Sequence, residues 1–154
     1  MNRANALYHN KIILNLCVGI LSVEEFVVNA ETLSFEDLAE AKREIAKINV
    51  DPVGVEIMAL KAIFKVIKIK GVDSKTANIL KQEMLSRGGD AAVSKDVGSF
   101  EAKTTDVIIM GTLAQYIRLI KKLEHQQFGD CIKISEVIRD LLFKGHDINK
   151  AEVW

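Results

Sequence analysis

Between residues 71 and 93 the chain reads GVDSKTANILKQEMLSRGGDAAV, and its apolar positions recur at helical spacing. At about 100° per residue, Ala77, Leu80, Met84 and Leu85 fall on one arc. Asp73 or Ser74 can cap the first free N–H groups, and Gly88-Gly89 can close the last turn. Arg87 sits well against the negative end of the helix dipole. This predicts a helix over 74–88, written between two strands. Lys81 breaks the arc, beside Asn78 and Gln82, an i, i+4 pair on adjoining surface. A lysine at a core edge usually lays its stem over apolar neighbours and keeps its ammonium in water. In the competing reading, Lys81, Asn78 and Gln82 face an anionic or polar ligand, or a partner surface.

Upstream, Ser34 opens a helix, with Asp37 in place of the usual Glu or Gln of a capping box. Phe35, Leu38, Ala41, Ile45 and Ile48 share its apolar face; Glu36, Glu40, Arg43, Glu44 and Lys47 form the solvated one. It stops near Asn49, and Asp51-Pro52 reads as a turn. Val53 to Ile63 has no period that separates helix from strand. Phe26 to Val28 can begin an edge strand. The FKVIKIK run (Phe64 to Lys70) alternates as a strand, and Lys61, Lys65, Lys68 and Lys70 suit an edge kept from pairing with other chains.

Ala91 to Ser94 is a short strand, and the DVIIM run (Asp106 to Met110) is a more apolar, central one. The link between them lacks a helical pattern, which favours a hairpin over a parallel crossover. Gly111-Thr112 then enters a helix with Thr112 and Gln115 as a capping box and Leu113, Tyr116, Ile117, Leu119, Ile120 and Leu123 on its apolar face. Free N–H groups there could hold an anion, although a tight turn plus a cap explains the same residues. Phe128-Gly129 ends that helix. Ser135 caps a last one, which docks through Val137, Ile138, Leu141 and Leu142 and stops at Gly145. The sum is an α+β fold: a small two-layer sandwich with a mixed sheet of about four strands, covered on one face by the 74–88 and 112–127 helices.

Composition changes this picture little. A chain of 154 residues forms one domain with a real core. A net charge of zero and few aromatics argue against a nucleic-acid footprint. Cys17 and Cys131 stand apart, as reduced thiols of a cytoplasmic protein do. His9, His125 and His146 are scattered without metal-ligand spacing, and no cofactor is implied. Residues 1–25 form an apolar N-terminal extension. Its run IILNLCVGILSV is too short to span a bilayer, and no convincing signal-cleavage site follows. A strand, a short buried helix, or a loose extension from an upstream start codon all fit it. Residues 26–145 are the domain, and 146–154 a tail without period.

Three stretches resemble a known family: VDPVGVEIMALKAIFKVIKIKGV, TANILKQEMLSRGGDAAVSK and KTTDVIIMGTLAQYIRLIKKLEHQQFG. They look like the domain that precedes the catalytic barrel in dihydropteroate synthases of clostridial type, in the right order, over about residues 26–145. The shared pattern comprises Lys81, Gln82, Glu83, Met84, Leu85, Ser86, Gly88, Gly89, Asp90 and Ser94. Such enzymes join a dihydropterin pyrophosphate to p-aminobenzoate on a TIM-type barrel, a fold of around 250 residues. Neither that barrel nor its pterin-site motif occurs in this sequence, so no catalytic residue carries over.

The resemblance therefore implies a stand-alone accessory domain in folate biosynthesis. It would bind a separately encoded synthase barrel or a pterin-type small molecule through Lys81, Asn78, Gln82, Arg87, Ser94, Lys95 and Thr112. No nucleic acid or membrane is expected as a partner, and association with further copies of the chain stays open. The alternatives are a small enzyme or anion-binding module, using Lys81, Lys61 or Lys95 with the Thr112 helix N-terminus, and a truncated remnant of a split synthase.

Overall fold

The computed structural model describes residues 28–98, 103–126 and 128–144. The chain divides into two units, Met1–Ser34 and Phe35–Trp154. In the first, only residues 28–34 are described, and they have no regular structure. The expectations for residues 1–25, for Phe26 and Val27, and for the stretch from Gly145 to Trp154 lie outside the described residues.

In the second unit the order is α1 (Leu38–Ala46), α2 (Pro52–Ala62), β1 (Phe64–Asp73), α3 (Ser74–Ser86), β2 (Asp90–Ala92), a single 3-10 turn (Lys95–Val97), β3 (Thr104–Thr112), α4 (Leu113–Glu124) and α5 (Cys131–Phe143). The strands form one sheet in the order β1-β3-β2. β1 pairs antiparallel to β3 from Phe64↔Thr112 to Asp73↔Thr104, with an irregularity between Ile69 and Val72. β2 pairs antiparallel to β3 as a hairpin partner, Asp90↔Met110 to Ala92↔Ile108. The apolar β3 is central and the lysine-bearing β1 is an edge, where its charges hinder pairing with other chains. Among the described residues the sheet has three strands, not four, and is antiparallel throughout rather than mixed.

Alternation along β3 buries Thr105, Val107, Ile109 and Gly111, which face the helices with Ile67 and Ala91. In the same core lie Ala77, Leu80 and Met84 of α3 and all six apolar residues expected on α4, each almost wholly buried. The Tyr116 hydroxyl reaches across to the main-chain oxygens of Ile109 (2.8 Å) and Lys65 (3.1 Å). Burial lifts this phenol well above its ordinary range. The phenol thus ties α4 to both β1 and β3.

Several boundaries differ from expectation. The first helix is capped by Asp37, whose Oδ1 accepts from the Glu40 N–H at 2.8 Å, not by Ser34. Ala41 is buried and Phe35, Leu38 and Ile45 pack beside the core, but Ile48 lies beyond the helix and is exposed. The ambiguous segment is a helix: Asp51 caps it onto Gly54 N–H at 2.9 Å, with Pro52 in the first turn, where its missing N–H costs nothing. Leu85 turns outward rather than joining the arc of α3, while Thr76 is buried in its place. Ser135 lies inside α5, where its hydroxyl donates to Ile132 O at 2.6 Å. Of the expected docking residues of α5, Ile138 is buried and Leu142 packs beside the core, but Val137 and Leu141 are exposed, and Cys131, Ile134 and Phe143 complete the docked face.

Candidate functional site

α3 owes its start to Asp73, whose Oδ1 accepts from the N–H groups of Lys75 (3.1 Å) and Thr76 (3.0 Å). The nearby Thr76 hydroxyl, though short of regular hydrogen-bond geometry, and these two N–H groups hold the Asp73 carboxyl below its usual range, against the opposing effect of burial. On the outward side of α3, Asn78 and Gln82 are exposed and Lys81 is half-buried, with exposed Leu85 beside them. Lys81 enters none of the ion pairs among the described residues. Its position fits both a stem laid on the core edge and a cation offered to a partner.

Arg87 is committed elsewhere. Its Nη1 donates to the Glu83 carboxylate (2.5 Å), to Glu83 O (2.6 Å) and to the Ser86 hydroxyl (2.9 Å), which anchors the C-terminal turn of α3. Glu83 also accepts from Gln126 Nε2 at 3.0 Å, and the Cys131 thiol contacts Gln126 Oε1 at 3.8 Å. This polar chain joins α3 to the α4–α5 connection. Burial, with the negative charge of Asp73 second, pushes the Cys131 thiol up, as befits a buried thiol of the core. Nothing in the sequence marks Gln126 as the link between Glu83 and Cys131.

Thr112 and Gln115 form the expected capping box, Thr112 N–H to Gln115 Oε1 at 2.7 Å and Gln115 N–H to Thr112 Oγ1 at 3.4 Å. Leu113 N–H goes to Ile63 O at 3.0 Å. Three of the N–H groups that an anion would use are therefore engaged within the fold. The other end of the Gln115 amide, Nε2, donates to Arg87 O at 3.0 Å and so fastens the end of α3 to the start of α4.

The glycines of this corner serve packing. Gly88 takes a positive φ of 74° after α3. A Cβ on Gly89 would lie 2.5 Å from Met84 Cε and 2.8 Å from Met110 O. A Cβ on Gly111 would lie 2.8 Å from Gln115 Oε1 and 2.9 Å from Met84 Cε. Met84 and Gln115 fill the space a phosphate cradle would need.

The seven flagged residues thus separate into three places. Asn78, Lys81 and Gln82 share the outer side of α3. Arg87 and Thr112 meet through Gln115, whose reach to α3 its reading as a cap did not reveal. Ser94 caps the 3-10 turn, accepting from Asp96 N–H at 3.3 Å, and exposed Lys95 begins that turn. A separate open groove of about 450 Å³ is lined mainly by Leu38, Ile63, Leu113, Leu141 and Phe143 with Glu36, Asp37 and Lys65, and none of the seven lines it. Among the described residues no group of three or more His, Cys, Asp or Glu side chains could hold a metal ion, and no helix is long and apolar enough to cross a membrane.

No protein-family model matches the chain, and no solved structure matches it. Two curated proteins do. A probable bifunctional folylpolyglutamate synthase/dihydropteroate synthase of Halobacterium salinarum is 36% identical over 112 residues, which is 73% of this chain and 13% of that protein. A protein of the same description from Haloferax volcanii is 35% identical over 93 residues, 60% of this chain and 11% of its own length. The similarity supports a folate-related domain. Neither relative is of the clostridial type, and the matched stretch is a small part of each.

Proposed function

We propose that this chain is an accessory domain of a dihydropteroate synthase system in cytoplasmic folate biosynthesis, without catalysis of its own. The observation that carries the reading is the match itself: 73% of this chain aligns, at 36% identity, with a segment of a bifunctional folylpolyglutamate synthase/dihydropteroate synthase. Like the matching segment of that large enzyme, this chain would work beside a dihydropteroate synthase barrel, or hold a pterin-type molecule for it. The outward polar side of α3, with Asn78, Lys81 and Gln82, is the contact surface, since Arg87 and Thr112 are spent on the fold.

Affinity purification of the tagged full chain from its native cell tests this. A dihydropteroate synthase polypeptide or a pterin compound is expected in the eluate, reduced when Lys81→Ala is used as bait. Recovery of neither overturns the reading. Capture unchanged by Lys81→Ala moves the contact away from α3.

A further inference from the structure

The face of the sheet turned away from the core is apolar where solvent would ordinarily demand polar residues. Phe64 and Val66 on β1 are 59% and 61% exposed. In the observed register Val66 lies beside Met110, while Met110 and Ile108 of β3 are flanked on the other side by Asp90 and Ala92 of β2. Phe64, Val66, Met110, Ile108 and Ala92 therefore form one diagonal stripe. Lys68 lies on one flank of the stripe and Asp90 on the other. No helix among the described residues packs on this face; the core lies wholly on the other side.

We propose that the stripe is the interface of a symmetric dimer, with a second copy of this chain as its occupant. A two-fold axis lying along the stripe sets stripe on stripe and exchanges the two flanks. Lys68 of each copy then comes over Asp90 of the other, so the face is complementary to itself in charge as well as in apolar surface. With strands about 4.8 Å apart and a rise of about 3.3 Å per residue, the stripe runs at about 40° to the strands. The strands of the two copies then cross at about 80°, close to the orthogonal class of sheet packing. Lys68 already pairs with Asp106 of its own chain at 2.9 Å, and that exposed pair leaves its ammonium free to reach a second carboxylate. The apolar stripe supplies affinity and the charged flanks set register.

Sedimentation equilibrium of the full chain tests the dimer, which should have twice the 17.1 kDa mass of one copy. Val66→Asp should weaken association about 30-fold or more, and Asp90→Lys by about 3- to 5-fold. Both should leave the far-ultraviolet spectrum of the diluted protein unchanged. Mild oxidation of a Lys68→Cys, Asp90→Cys double variant should give a covalent dimer that neither single variant gives. A chain that stays monomeric at every concentration overturns the proposal, and so does a dimer that both Val66→Asp and Phe64→Ser leave intact. The dimer stands apart from the folate reading, since neither result depends on a synthase or a pterin.

Discussion

Both faces of the sheet carry apolar residues, and these meet opposite fates. On one, Ile67, Val107 and Ile109 lie under α3 and α4 and lose nearly all contact with solvent. On the other, Phe64, Val66, Ile108 and Met110 stand beyond the helical layer, although they are no less apolar. Alternation along a strand separates two sets of side chains; it does not say which set is covered. That decision belongs to the helices. Their apolar arcs need a surface, and the short connections from β1 into α3 and from β3 into α4 deliver both helices to the same side. An apolar set left on the far side then points to association rather than to the core.

Substitutions can break this contrast, beginning with the covered face. Ile109→Ala, at a wholly buried central position, should cost about 2–5 kcal/mol in chemical denaturation. Gly89→Ala should cost about 1–3 kcal/mol, because the new methyl group meets Met110 O, which the sheet holds in place. Asp73→Ala should cost about 1 kcal/mol through loss of the α3 cap.

The charge of Asp73 adds a dependence on pH. Its carboxyl is lowered in the folded state, so its stabilisation is complete above the unfolded value and fades as pH falls through the lower folded one. Asp73→Asn keeps a capping oxygen, so in acid denaturation it should remove that pH-dependent part while sparing most of the cap. The smallest effect is expected on the open face. Val66→Thr should change the stability of the diluted chain by no more than about 0.5 kcal/mol, and a loss as large as that of Ile109→Ala would erase the distinction between the faces.

The sequence carried the central hairpin and the two helices over it plainly. In α4, apolar period and capping box agree, and every residue of its predicted apolar face is buried. Where two signals conflict, the reading failed. Asp51-Pro52 reads as a turn, yet the same pair is a cap followed by a first-turn proline, and it begins α2. α2 shows no clean period because Val53 and Met58 are exposed beside buried Val55 and Leu60, so its apolar residues surround it. Ser135 reads as a cap but lies within α5, because a serine hydroxyl can return to a carbonyl of its own helix.

The candidate site was legible only as residue types. Arg87 and Thr112 look available in one dimension, and only the folded chain shows Glu83 and Gln115 occupying them. Contacts between residues 28 positions apart, such as Gln115 with Arg87, leave no local pattern to read.

The single amide of Gln115 holds both its own helix start and the last carbonyl region of α3. Tilting α3 outward would therefore have to unfasten the beginning of α4 in the same motion. A load applied to the outer surface of α3 is shared at once with the middle strand, and the corner should give way as one piece or not at all.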